Sequence, residues 1–131
     1  MNNRFKFRVW DKLAERMIYP HNDNQQHFII DLNGQFHNLQ NGSGGDDYVI
    51  QQYTGLTDIN DDPIYEGDIL KNHYDVGNNI IGQVLYESDH GGYIFQWKRK
   101  GRGQDYKNLN CDVAFESVIV GNIFENSELL N

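Results

Sequence analysis

Asp58, Asn60 and Asp62 alternate through the loop Asp58-Ile59-Asn60-Asp61-Asp62-Pro63 in the spacing of the first three ligands of a calcium loop. Oxygen side chains at every second position can converge on one hard cation. The pattern then breaks. Pro63 holds the place of the glycine that such a loop needs for its sharp turn, and Ile69 stands eleven residues after Asp58, where a bidentate glutamate belongs. The loop therefore reads as a solvated turn, built from residues whose side chains bond nearby backbone. Of the five histidines, His21, His27, His37, His73 and His90, none has a partner at zinc-ligand spacing, and a single cysteine cannot help. His27 and His37 fall near the open end of the Asn33-Gly34 hairpin, where they could face each other as a cross-strand metal pair; exposed sheet residues are the simpler reading. His73-Tyr74-Asp75 and Asp89-His90 set an acid near an imidazole, with no Ser or Cys placed as a nucleophile. Cys111, beside Asp112, lacks a basic neighbour that would activate a thiolate. Gly101-Arg102-Gly103 lacks the Lys-[Ser/Thr] of a phosphate loop. The expectation is a protein that is not an enzyme, with no catalytic residue, metal or cofactor.

Charge carries more information. The net charge is −8, which opposes indiscriminate binding to nucleic acid. Arg4, Lys6, Arg8, Lys12 and Arg16 form one basic cluster; Lys98, Arg99, Lys100, Arg102 and Lys107 form another; between them Lys71 stands alone among twelve acids. Arg4, Lys6 and Arg8 recur with period 2, and Lys98, Arg99, Lys100 and Arg102 share a Gly-rich loop with Tyr93, Trp97 and Tyr106 near in sequence. Basic grooves lined with aromatic rings are how small β-folds hold single strands, so these seven cations are candidate nucleic-acid contacts. The plainer reading of the first stripe is the wet face of a half-buried strand.

The elements that would position these groups are strands. Arg4-Phe5-Lys6-Phe7-Arg8-Val9-Trp10 alternates cleanly, with Phe5, Phe7 and Val9 on one face. Arg16 to Tyr19 reads as its return strand, stopped by Pro20. His27 to Leu32 and Gln35 to Leu39 flank Asn33-Gly34, a strong hairpin turn signal because both residues tolerate φ > 0. Residues 41–47, Asn-Gly-Ser-Gly-Gly-Asp-Asp, form a flexible joint by composition. Further strands are expected at 48–53, 64–70, 80–87 (with Gly82 as a bulge), 93–97 and 117–124. Residues 111–116 fit a helical turn or a ragged strand, and Asn126 caps a terminal helical turn.

At 131 residues, with 38% hydrophobic and 13% aromatic content, the chain is one domain with a modest core and a lean toward β-structure. The expected fold is mainly β: antiparallel strands and hairpins, with a small SH3-like barrel in the C-terminal half. One domain over 1–131 contains two sub-lobes, 1–40 and 48–131, joined by the loop 41–47. One cysteine, no apolar run long enough for a membrane span and no signal-peptide core point to the cytoplasm, with no membrane partner.

Four segments resemble the YopX family, small proteins of bacteriophages and prophages. Lys6-Phe7-Arg8-Val9-Trp10-Asp11, with Met17-Ile18-Tyr19, resembles the family opening. Gln52-Tyr53-Thr54-Gly55-Leu56-Thr57-Asp58 resembles its central motif. Ile64-Tyr65-Glu66-Gly67-Asp68-Ile69-Leu70 resembles the strand that follows. Val120-Gly121-Asn122-Ile123-Phe124-Glu125-Asn126, with Glu128-Leu129-Leu130, resembles the close. The chain departs at Asn60-Asp61, where the family tends toward Asn-Gly, and at Ser127, where it usually has Pro. The resemblance implies a mostly-β phage protein without a settled activity. Trp10, Tyr53, Gly55, Leu56, Tyr65, Glu66, Gly67, Asp68, Gly121, Asn122, Glu125 and Asn126 carry the motifs and read as structural. Two functional expectations follow. The first is a protein-interaction module acting on a host or phage protein, with self-association as one way to cover sheet edges. The second is a nucleic-acid-binding β-barrel using strand 4–8 and loop 98–102.

Overall fold

The structure, a computed structural model, describes residues 4–19, 27–75, 78–99, 101 and 103–131. Strand far outweighs helix among the described residues, so the class is mainly β, and every pairing among the described strands is antiparallel. The chain forms two compact units, one of Phe5–Gln52 and one of Tyr53–Asn131 that takes in Arg4. The boundary therefore falls at Gln52, and the 41–47 stretch expected to join two lobes lies inside the first unit. It is held there by side chains. Asn41 Oδ1 accepts from the Ser43 amide and hydroxyl, the Ser43 and Tyr48 hydroxyls lie 2.7 Å apart, and the Asn38 amide donates to the Ser43 carbonyl. The strand stop expected at Pro20 lies outside the described residues.

In the N-terminal unit, β1 (Phe7–Asp11) pairs on one side with β2 (Arg16–Ile18). The two-stranded hairpin of β3 (Phe28–Ile30) and β4 (Phe36–Asn38) follows, and then the long β5 (Tyr48–Thr57). The first half of β5 pairs with the other side of β1, Phe7 opposite Gln52 through Asp11 opposite Tyr48. Val9, Ile18 and Phe36 form the core of this unit, with Phe28, Ile30, Tyr48 and Ile50 packed on it. Asp11 turns the β1–β2 hairpin by accepting the Leu13 and Ala14 amides at 3.1 Å. Arg8 corrects the expected wet face: only 2% of it is exposed. Its cross-strand partner Gln51, also buried, accepts from its Nε at 2.8 Å, and its guanidinium lies 5.9 Å from the centre of the Tyr19 ring. A long aliphatic stem capped by planar donors can be buried where an amide and a ring meet the charge.

The β3–β4 hairpin turns differently from the expected two-residue Asn-Gly turn. Its loop begins at Asp31, whose carbonyl accepts the Gly34 amide, and only Gly34, with φ of 79°, enters the left-handed region. This is a type I turn closed by a left-handed glycine, the usual three-residue hairpin. Asp31 Oδ1 fixes it by accepting the Asn33 and Gln35 amides.

In the C-terminal unit, the second half of β5 pairs with the short β6 (Pro63–Tyr65). β7 (Asp68–Asp75), β8 (Asn78–Glu87), β9 (Gly92–Lys98) and β10 (Gln104–Asn108) form a meander. A helical turn, α1 (Cys111–Phe115), leads to β11 (Ser117–Asn122), which returns to the far side of β7. The sheet order is β10-β9-β8-β7-β11, a half-barrel with two edges. Leu70, Val84 and Phe95 from its concave face pack with Ile64, Val113 and Ala114 as the core. Asn110 caps α1 through the Val113 amide, which decides 111–116 as helix. Asn72 and Ser117, both buried, join β7, α1 and β11: Asn72 Nδ2 donates to Ser117 Oγ, which donates to the Val113 carbonyl.

Gly82 is no bulge. It pairs regularly with Leu70 and Trp97, and its missing side chain makes room for the Gln96 carbonyl and the Phe95 ring. Irregularities fall elsewhere: in β11 the pairing skips Val120 between Ile119 and Gly121, and the β7–β8 pairing shifts register between Asn72 and Asp75. The acidic loop is anchored by Asp58, 3% exposed. Its Oδ1 accepts the Asn60 and Asp62 amides at 2.9 and 3.0 Å, and its Oδ2 accepts the Ile119 amide at 3.0 Å. Asp61, where the family tends toward glycine, takes φ of 65° and keeps the left-handed backbone that a glycine there would adopt.

Asp58→Ala leaves three amides without their charged acceptor, and urea unfolding should show a loss of about 3 kcal/mol or more. Asp61→Gly removes the left-handed strain and should raise stability by about 0.5 kcal/mol in the same measurement.

Candidate functional site

The motif residues of the C-terminal unit are largely spent on turns. Between β6 and β7, Gly67 takes φ of 89°; its amide donates to the Val84 carbonyl and its carbonyl accepts the Ile123 amide. Asp68, fully buried, closes this turn by accepting the Tyr65 amide at 2.8 Å. After β11, Asn122 Oδ1 accepts the Phe124 and Glu125 amides while its Nδ2 donates to Glu125 Oε1. Asn126 returns the bond: its Oδ1 accepts the Asn122 amide, so its side chain does not cap the Ser127–Leu130 turn as expected. That carboxamide lies where a side chain on Gly121 would stand. Gly55 also uses the left-handed region, at φ of 87°.

The candidate metal groups are occupied or apart. Both Asp58 oxygens serve backbone donors. His27 does not face His37 across the hairpin: the Leu39 amide donates to the His27 carbonyl, and His37 stands opposite Ile29. His37 Nε2 instead meets Asp31 Oδ2 at 2.9 Å. That bond, joined by the Gln35 and Asn33 amides and the His37 charge, holds the Asp31 carboxyl below the ordinary aspartate range. His73 Nδ1 lies 2.7 Å from Asn79 Oδ1, and His90 lies against the Tyr106 ring at 5.2 Å. Among the described residues no group of three or more His, Cys, Asp or Glu gathers to hold a metal ion. Cys111 is exposed.

The basic residues divide between the units. Arg4, Lys98 and Arg99 belong to the C-terminal unit and are exposed; Lys6, exposed, and Arg8, buried, belong to the N-terminal one. Lys100 and Arg102 lie outside the described residues. Arg99 stands 3.8 Å from Asp105. Of the rings expected to stack bases, Trp97 and Tyr93 pack on the core, and Tyr106 is exposed. Burial pushes the Tyr93 phenol above the ordinary tyrosine range, with Glu66 and Tyr86 adding to the shift and Arg4 opposing it.

The feature best suited to hold something lies in the N-terminal unit and was missed from the sequence. An open cavity of about 330 Å³ runs between β1 and the β3–β4 hairpin. Buried Val9, Ile18 and Phe36 line it, Phe28 and Ile30 line it from the hairpin, and exposed Phe5 and Ile29 stand at its rim with Lys6 and Tyr19. Its volume is that of a small ligand or of one or two inserted side chains. The available signal was the run Phe28-Ile29-Ile30. Three consecutive apolar residues in a strand place apolar groups on both faces, and only one face can serve a small core.

A mainly antiparallel β-protein of two units, with its motif residues used as turn anchors, is the class these features define. The family model described as YopX protein matches residues 6–131, and the chain belongs to that family. It is also similar to the protein EF1440 from Enterococcus faecalis, known from its crystal structure, at 25% identity and a TM-score of 0.56, over 96% of this chain and 97% of that one. No curated protein matches the sequence significantly. No helix among the described residues is long and apolar enough to cross a membrane.

The Asp31–His37 contact gives a pH test. A carboxyl held below its unfolded value stabilises the fold above that value and loses the contribution as pH falls through the folded one. Followed by the NMR shift of its carboxyl carbon, Asp31 should titrate below 3.8. Asp31→Asn should lower stability at neutral pH and converge on the wild type once the pH is below that titration.

Proposed function

We propose that this YopX-family protein is a non-enzymatic, cytoplasmic interaction module of phage or prophage origin that acts on a host or phage protein. The observation that carries the reading is the apolar groove rimmed by Phe5 and Ile29, which are 62% and 44% exposed. Adjoining exposed apolar residues at the mouth of a concave surface mark interaction sites more often than scattered ones do. The occupant is an aliphatic or aromatic side chain presented by a partner protein. With this chain at −8, a partner whose surrounding surface is basic is favoured by charge complementarity. The groove provides for burial of such an anchor, and no cofactor is needed for that. We read the C-terminal unit as an SH3-like barrel in kind, a scaffold; the β7–β8–β9 meander, the helical turn α1 and the return of β11 to β7 support that reading.

The nucleic-acid reading retains Arg4, Lys6, Lys98 and Arg99 but loses Arg8, whose guanidinium is committed inside the N-terminal unit. It enters as an outcome of the same test. Tagged protein is purified from its native host during phage growth, with and without nuclease, beside an Ile29→Glu variant. Ile29 is exposed, so the variant should keep the wild-type melting curve. The expected result is a stoichiometric protein partner that survives nuclease and is lost, by about tenfold or more, from Ile29→Glu, since a charge at an apolar anchor site is left buried and unpaired. Nucleic acid recovered alone and removed by nuclease or high salt would overturn the groove reading in favour of the basic residues.

A further inference from the structure

The outer side of β10 offers a strand edge whose sequence is complementary to itself. Gln104-Asp105-Tyr106-Lys107-Asn108 reads amide, acid, ring, base, amide. Reversed, it reads amide, base, ring, acid, amide. β10 ends the five-stranded sheet, and no described strand pairs with its outer side. The direction of its backbone groups follows from the flanking bonds. The Arg99 amide donates to the Gly103 carbonyl and the Leu109 amide donates to the Tyr93 carbonyl. The register between them is unbroken. Residues 103, 105, 107 and 109 therefore turn their peptide groups toward β9, and Gln104, Tyr106 and Asn108 turn theirs outward.

We propose that this edge is the contact between two copies of the chain, paired antiparallel about a two-fold axis at Tyr106. Tyr106 then exchanges backbone hydrogen bonds with Tyr106 of the second copy, and Gln104 does so with Asn108. Asp105 falls opposite Lys107 twice, at the non-hydrogen-bonded positions where side chains approach most closely. A shift of register by two residues sets Asp105 against Asp105 of the second copy, or Lys107 against its Lys107, and loses both ion pairs. Charge complementarity thus selects one register and one occupant, a second copy of this strand.

The single chain already guards this edge with the group the pairing would use. The Asp105 carboxylate accepts the outward Tyr106 amide at 3.1 Å and lies 3.8 Å from Arg99. A short strand with a charge folded over its exposed amide is a common defence against unselected pairing. In the dimer the Tyr106 amide passes to the facing carbonyl, and Asp105 moves to the facing Lys107. The surface belongs to the C-terminal unit and does not depend on the apolar groove.

Sedimentation of the full chain over a range of concentrations at physiological salt tests the proposal. The wild type should show a reversible monomer–dimer equilibrium. Asp105→Lys sets like charges opposite and should weaken the dimer at least about tenfold. Asp105→Lys combined with Lys107→Asp restores both opposite-charge pairs and should restore the dimer. Tyr106→Pro removes an outward amide that β9 does not use and should give a monomer. Circular dichroism melts confirm that each variant folds. A wild type that stays monomeric at high concentration overturns the proposal. So does a dimer that Asp105→Lys leaves intact, or one that the double reversal fails to rescue.

Discussion

One carboxylate joins the two ends of the C-terminal unit. Asp58 belongs to the loop that follows β5, and the Ile119 amide it accepts lies 61 residues later in β11. The Ile59 amide donates to the Ser117 carbonyl beside it, so loop and strand are stitched twice. A buried carboxylate is costly unless its lone pairs are met, and here three amides meet them. The arrangement also explains why an acidic loop can sit against a core. Its most buried acid faces inward to backbone donors, and Asp61 and Asp62 face water.

The same economy recurs at each motif. Asp68 closes the turn into β7, Asn122 and Asn126 fold the chain back after β11, and Asp11 and Asp31 do the same for the two N-terminal hairpins. In each case a short polar side chain replaces the partner that a backbone amide loses when a strand ends. The turns are thereby set by local chemistry, and strand order follows from where they occur. This accounts for the many Gly, Asp and Asn residues in the YopX motifs. The groove draws on both kinds of residue: Phe7, Val9 and Ile18 come from the opening segments, and Phe28, Ile30 and Phe36 come from outside the motifs.

Much of this was legible in the sequence. The Tyr48–Tyr53 strand and the β8–β9 hairpin stand where alternation placed them, and of the run from Arg4 to Trp10 the strand takes in Phe7 onward. What alternation could not convey was which polar positions are covered. Arg8 follows the wet-face pattern in every respect, and only the folded chain reveals Gln51 opposite it and Tyr19 beneath its charge. Gly82 and Val120 illustrate the same limit. A glycine in a strand can mark a bulge or a close approach, and the neighbours that decide between them come from Phe95 and Gln96 on another strand. Asn33-Gly34 carried a correct turn signal, but Asp31 captured two amides and shifted the loop. The groove was hidden because Phe28, Ile29 and Ile30 look like any core strand until the hairpin's two faces are separated.

The return of β11 to β7 has a consequence for the order in which the molecule is made. The N-terminal unit uses only residues 5–52, so all its partners leave the ribosome before the C-terminal unit is complete. The C-terminal sheet is different: β7 is exposed as an edge, and Asp58 lacks its third donor, until Ile119 emerges. At roughly 5–20 residues per second, the interval from β7 to β11 lasts a few seconds. Throughout it, a nascent chain carries a strand with one edge unpaired, and that strand contains the buried residues Ile69 and Leu70. The polar Asn72 and charged Lys71 in that strand, and the acids that precede it, then act as gatekeepers for a half-made protein as well as parts of the finished one.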